Sequence, residues 1–507
     1  MKTQGKEIFK KYTDEETFSR ITEYETISEM WEMCIHEYAQ NKAVSDVGQE
    51  YTFSELEEDV SHFRPFFCDL CGRVGILAEN SYEFIKAFLA ITTMGLTAVV
   101  LPPQLNAEAI YGCIKKFDIN CLVYTKSQDE KIVLLGDKLS KIKTINAEAR
   151  ANEKCGIKEC EGESSCVIMM TGGTTGKSKG ALLSNAAIMQ GVINGCYGYK
   201  DVFEQRYMLV LPLSHIFGLV RNLLTSLYTG SEIFICRNNK DMFRDIAEFK
   251  PTILVAVPAM VEMALMLSKK FGRNMLGESL KYIICGAAAV APYLIRECEK
   301  VGITVFPGYG LTESANLVSG NPESLSRPDS VGFMYPNQEY RIEDGELWLK
   351  GKNMMIGYIG EDGVAYDEDG WFKTGDIVKI EDGFLYIVGR TKEVIVLPSG
   401  ENIYPAELEC RFNELSFIQD SQVFEDVGND GKVLLALEVV PRVTEIPVMS
   451  KEDMKEFITE ELNKINMTLP SFQRVSVITV RENDFERTPS MKIIRYQKMK
   501  NNMGMKK

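Results

Sequence analysis

Ten residues at 171–180, TGGTTGKSKG, hold four glycines, three threonines and two lysines, and the apolar run 167–170 leads straight into them. Glycine is unfavourable inside helices and strands, so the stretch reads as a loop leaving a buried strand. Glycines let backbone N–H groups turn toward an anion and approach it closely, while hydroxyl and ammonium groups add donors. The composition suits a loop that holds a polyphosphate. The bland alternative is a surface linker, which commonly mixes the same residue types.

The spacing excludes the mononucleotide P-loop. The pattern G-x-x-x-x-G-K-[ST] needs glycine where Thr171 stands, and Gly172 comes one residue late. A P-loop also opens directly into a helix whose N-terminus helps bind the phosphates. Here Ala181-Leu182-Leu183 reads as a short strand, and a helix starts only after it, capped by Ser184 or Asn185.

A chain of 507 residues buries a large core and generally divides into more than one domain. Its net charge of −15 argues against nonspecific nucleic-acid binding, because a polyanion is repelled overall. The basic tail at 498–507 reads as a frayed terminus. No charged segment followed by an apolar one opens the chain, so no signal peptide is expected. The longest apolar run, 87–102, is broken by Thr92, Thr93, Gly95 and Thr97 and falls short of the roughly 18–20 residues that span a membrane. Of thirteen cysteines, Cys68 and Cys71 form a lone CxxC pair, and none of the three histidines stands near Cys155, Cys160 and Cys166. Reduced thiols in a cytoplasmic protein are expected, with no zinc site.

The first 300 or so residues alternate short apolar runs with helical patterns, which predicts α/β layers with buried strands. Runs at 72–78, 207–211, 232–236 and 253–257 read as strands, and 81–90 as an amphipathic helix. From about 331 to 390 alternating strands separated by Asp-Gly turns at 344–345, 362–363 and 382–383 predict a β-rich subdomain. The expected division is an amino-terminal domain, 1–391, and a small α+β domain, 392–507, with helices at 406–415 and 451–466 and a strand at 432–440.

The glycine-rich loop resembles the signature [ST]-[SG]-G-[ST]-T-G-x-P-K-G of the adenylate-forming (AMP-binding) enzymes, departing from it at Ser178. Further segments follow in that family's order. Residues 211–218 (LPLSHIFG) resemble the acyl-CoA-synthetase segment, and 284–289 (ICGAAA) the strand-loop lining the adenine and acyl pockets. Residues 308–313 (GYGLTE), 371–376 (WFKTGD) and 389–393 (GRTKE) match three more motifs, and 488–495 (TPSMKIIR) resembles the last, with Met491 where glycine is usual. Each alone is weak, since a TGD can be a turn and a lysine a solvated one.

The resemblance implies an ATP-dependent acyl-CoA synthetase. A carboxylate attacks the α-phosphate of ATP, giving an acyl-adenylate and pyrophosphate, and the acyl group then passes to the CoA thiol. Because both reactants are anionic, the site must supply positive charge and oriented donors. By resemblance, Thr171, Gly172, Gly173, Thr174, Thr175, Gly176 and Lys179 cradle phosphates, while Thr312 bonds one and Glu313 holds Mg²⁺. Gly286, Ala287, Tyr309 and Gly310 line the adenine side, and Asp376, assisted by Arg390, accepts the ribose hydroxyls. Lys492 reaches the α-phosphate and the acid, His215 stands by the acyl carboxylate or fills the pocket wall, and Lys392 is the hinge on which the carboxy-terminal domain turns between half-reactions. Two other readings stay open. One is a ligase that loads a phosphopantetheine carrier protein instead of CoA, although the chain leaves no room for a carrier domain after Lys492. The other is a noncatalytic nucleotide-binding homologue, favoured only by Ser178 and Met491.

Overall fold

Apolar runs too short to be helices become the central strands of two large sheets, because a strand buried on both faces needs only four to six such residues. The computed structural model describes residues 5–171, 179–359, 365–397, 401–427, 433–487 and 493–495. In the first sheet Arg73–Leu77, Thr97–Leu101, Ile119–Tyr124, Lys143–Asn146 and Ser165–Thr171 run parallel. Lys179–Ser184 turns back antiparallel on Ser165–Thr171, with Thr171 opposite Lys179. The glycine-rich segment therefore connects two hairpin strands, and the helix Asn185–Asn194 starts only after the second, capped by the Ser184 hydroxyl. That topology differs from a P-loop in the way the spacing anticipates.

The second sheet sets Thr304–Tyr309, Tyr282–Cys285, Ile253–Ala256, Arg206–Leu209, Glu232–Ile235 and Lys42–Asp46 side by side and parallel. The helix Tyr82–Thr92 is less amphipathic than its sequence suggests. From Phe84 to Thr92 every residue is buried, Lys86 included, because three-layer packing covers both of its sides.

Gln338–Glu343, Glu346–Gly351, Phe372–Glu381 and Phe384–Arg390 form a four-stranded antiparallel sheet. Its tight turns are Asp344-Gly345, with φ of 49° and 80°, and Asp382-Gly383, with φ of 52° and 84°, the doubly left-handed form that Asp-Gly favours. The turn expected at 362–363 lies outside the described residues. Gly357–Ile359 does not stay in this sheet. It pairs with Lys179–Ser184 at the edge of the first, with Tyr358 opposite Ala181.

After residue 391 the chain builds a separate core around Leu408, Phe412, Leu437, Ile458 and Leu462. The helices Pro405–Phe412 and Lys451–Thr468 and the strand Val433–Pro441 fall where the sequence puts them. Ile418–Val427 and Val477–Val480, which flank that strand, gave no clear alternation because polar residues interrupt them. The contacts of this domain with the larger body include polar ones. Arg442 donates to Glu262 at 2.9 Å and lies 4.6 Å over the Tyr293 ring, and Lys269 pairs with Glu445 at 2.5 Å. Among the described residues no helix is long and apolar enough to cross a membrane, and all thirteen cysteines are free thiols.

Candidate active site

The motif residues of the second sheet collect at the carboxyl ends of its parallel strands, where open α/β sheets leave a crevice. Tyr282–Cys285 delivers Gly286 and Ala287, and Thr304–Tyr309 delivers Gly308 to Gly310. A Cβ on Gly286 would stand 3.2 Å from the Gly308 carbonyl and 3.4 Å from the Phe217 ring, so the missing side chain keeps this corner open. Ala287 holds φ of 66°, uncommon for a residue with a Cβ. A Cβ on Gly310 would lie 1.2 Å from the Asn316 carbonyl, which no rearrangement of side chains relieves. The short turn Thr312–Ser314 follows, presenting Thr312 and Glu313.

The four-stranded sheet brings Asp376 to this crevice, with Arg390 directly opposite it in register. The Tyr309 hydroxyl donates to one carboxylate oxygen of Asp376 at 2.5 Å, and Arg390 Nε meets the other at 2.8 Å. Asp376 is only 1% exposed, so its charge is balanced by Arg390 rather than by water. Burial first, and the Asp376 charge second, push the Tyr309 phenol well above its ordinary value, which keeps it a donor. Gly375, at φ of 74°, makes the turn that aims Asp376 inward, and Thr391 seals it by donating to the Gly375 carbonyl at 2.8 Å.

A second cluster joins the two large sheets. Tyr358 donates to Glu313 at 2.6 Å, and the Lys179 ammonium lies 4.6 Å over the Tyr358 ring. The Met355 N–H bonds the Glu313 carbonyl at 2.8 Å, fixing the turn. Tyr358 is absent from the sequence reading because nothing local shows that a three-residue strand crosses to the other sheet. His215 lies just before the helix Phe217–Leu224, and its backbone closes the turn onto Pro212 at 3.0 Å.

Of the residues singled out in the sequence, Tyr309, Gly310, Thr312, Glu313, Asp376 and Arg390 come together, with Gly286 and Ala287 at their side. Thr171 and Lys179 pair at the mouth of the hairpin. Gly172, Gly173, Thr174, Thr175, Gly176 and Ser178 lie outside the described residues, as do Met491 and Lys492. Lys392 sits in the turn Thr391–Glu393, none of whose residues is buried. Arg495, quoted in the last motif without a role, bonds Glu409 at 2.6 and 2.7 Å and pairs with Glu393 at 3.1 Å, tying the end of the chain to that turn.

Residues 31–359 match the family described as AMP-binding enzyme, and 392–502 match the AMP-binding enzyme C-terminal domain. The chain is 27% identical to a long-chain-fatty-acid–CoA ligase of Yersinia pestis, over 75% of this chain and 79% of that one. It is 28% identical to a 2-succinylbenzoate–CoA ligase of Bacillus velezensis, over 84% and 89%. Among solved structures, an anthranilate CoA ligase in complex with anthranoyl-AMP superposes with a TM-score of 0.81 at 18% identity, covering 93% of this chain and 96% of that one. The o-succinylbenzoate CoA synthetase of Bacillus subtilis in complex with its acyl-adenylate superposes with a TM-score of 0.76 at 23% identity, covering 94% and 99%.

Proposed function

Because the chain belongs to the AMP-binding enzyme family and is an AMP-forming ligase, we propose that it activates an organic acid as the acyl-adenylate and passes the acyl group to the thiol of CoA. The observation that carries this reading is the Asp376 carboxylate, gripped by Tyr309 and Arg390 a few residues from Thr312 and Glu313. A carboxylate has about four lone-pair positions, which suits Asp376 to accept ribose hydroxyls of ATP. Tyr309 would then flank the adenine, with Gly286, Ala287 and Gly310 leaving room for the ring. Thr171, Thr312 and Lys179, with residues 172–176, would hold the phosphates.

Glu313 fits Mg²⁺, which takes one or two carboxylates plus phosphate oxygens rather than an all-protein cage. Among the described residues no group of three or more His, Cys, Asp or Glu could form such a cage. Tyr358 orients the Glu313 carboxylate from one side. When bound, the ion would neutralise charge on the phosphates. Lys492 would do the same between acid and α-phosphate, and His215 would flank the acyl carboxylate. Lys392, at the proposed boundary between 1–391 and 392–507, would be the hinge, and the cytoplasm is the compartment the thirteen free thiols favour. A carrier-bound phosphopantetheine ends in the same thiol as CoA, so it remains the second acceptor to offer.

The test is pyrophosphate release from ATP by the purified protein across short, medium, long-chain and aryl acids, followed by addition of CoA or a carrier protein. Release that needs both Mg²⁺ and an acid, then thioester and AMP on adding CoA, is expected. Release independent of every acid, or ADP with inorganic phosphate, would overturn the reading.

A further inference from the structure

Arg221 is 1% exposed and is among the largest fully buried side chains of the protein. It lies in Phe217–Leu224, a helix wound in the wide i→i+5 form that is rare and concentrates at functional sites. The Thr225 N–H reaches the Val220 carbonyl five residues back, and its hydroxyl donates to the same oxygen at 2.9 Å. Four residues before Arg221 on the same helix, Phe217 abuts the open corner at Gly286.

Among the described residues, neither terminal nitrogen of Arg221 has a hydrogen-bond partner, and no carboxylate pairs with it. The guanidinium lies 5.2 Å over the Tyr199 ring. The Tyr199 and Tyr207 hydroxyls lie against the guanidinium and favour its charged form, but neither meets a terminal nitrogen in full hydrogen-bond geometry. The Tyr207 oxygen is itself buried without a partner. Burial pushes the Tyr207 phenol up to about 12, against the pull of Arg221, so it is neutral and balances no charge. A neighbouring hydroxyl or a water can satisfy an N–H, but only an anion offsets a buried guanidinium. Elsewhere this protein supplies one, as at buried Arg64, whose two terminal nitrogens meet Glu57 at 2.7 and 2.9 Å.

Resting on the reading of this chain as an acid-activating ligase, we propose that Arg221 receives a second carboxylate, carried at the far end of the acid, so that the substrate is a dicarboxylic acid. One carboxylate faces the nucleotide and is activated. The other would meet Arg221, whose planar guanidinium can donate two parallel N–H···O bonds to it, with the Tyr207 hydroxyl as a further donor. An acid ending in a methyl group leaves the buried charge and both nitrogens unpaired, and a site built for a polar partner rejects such an analogue strongly.

The test compares matched acids by pyrophosphate release. Succinate, glutarate, adipate, suberate and phthalate are set against butyrate, valerate, hexanoate, octanoate and benzoate. At one length kcat/KM should favour the diacid by about 10²-fold or more, and Arg221→Met should collapse that ratio by a similar factor. The ratio, rather than either rate, is the readout. A wild-type preference for the monoacid in every pair, or a ratio that Arg221→Met leaves unchanged, overturns the proposal while the ligase reading stands. If Arg221→Met does not fold, the wild-type ratios decide alone. If no acid of either series releases pyrophosphate, the ligase reading fails. Thermal unfolding then decides, since a diacid must raise Tm where its matched monoacid does not, and equal or absent shifts overturn the proposal.

Discussion

The larger body and the carboxy-terminal domain are held together by different physics. In the larger body Tyr309 leaves the end of a buried parallel strand and locks Asp376, itself 1% exposed, together with Arg390, half of whose side chain meets water. The carboxy-terminal domain has its own small core, and its contacts with the body include Arg442–Glu262, Lys269–Glu445, one cation–π contact and the packing of Tyr404 against Gly389. The Lys269–Glu445 pair is partly solvated and exchanges for water at little cost, whereas Arg442–Glu262 is largely buried. In the proposed two-step reaction the first region would stay fixed while the second turned about Lys392.

The largest expected effect breaks this comparison if it fails. Lys492→Ala should lower acyl-adenylate formation by about 10²–10³-fold, yet leave thioester formation from preformed acyl-adenylate near the wild-type rate. Lys392→Pro should do the reverse by fixing φ in the turn Thr391–Glu393. Separate assays of the two half-reactions check both, and equal loss of both steps in each variant would mean that one rigid arrangement performs them. On the fixed side, Asp376→Asn should raise the KM for ATP about 10²-fold, because a charged acceptor of two hydroxyls is lost. Initial rates against ATP concentration measure it, and an unchanged KM would separate Asp376 from the nucleotide.

On the releasable side the effects are small. Lys269→Ala removes a pair whose lysine side chain is 43% exposed, and should cost no more than about 1 kcal/mol in denaturant titration. The same side carries a pH dependence. Burial raises the Asp420 carboxyl to about 6, Arg487 pulls it down, and Glu262 across the interface pushes it up. A carboxyl above its ordinary value of about 3.9 favours the folded, docked arrangement when protonated. Its contribution is complete below about pH 3.9 and disappears as pH rises through about 6. Glu262→Gln should lower that midpoint, read as hydrogen-exchange protection of Val433–Pro441 against pH.

Much of the layer architecture was legible because burial on both faces leaves an unambiguous apolar run, as at Ile253–Ala256. Ile418–Val427 was not legible, since its partners across the sheet, rather than its own alternation, make it a strand. The site divides the same way. Glycine and carboxylate motifs announce themselves because few residues can replace them at a tight turn or a polar corner. Tyr358 and Arg221 carry no such mark. A tyrosine in a short strand and an arginine in an apolar helix acquire meaning only from what surrounds them.

By itself the sequence determined the family's motifs in order, the exclusion of a P-loop, the Asp-Gly hairpins and the two-part plan, since these depend on local backbone chemistry and period. The tertiary structure alone decided that Gly357–Ile359 crosses to the first sheet, that Arg390 faces Asp376 in register, and that the Arg221 charge is buried without an anion among the described residues. Those are facts about which groups water is taken from and what replaces it, and desolvation is set by distant segments of chain meeting, which no local stretch of sequence encodes.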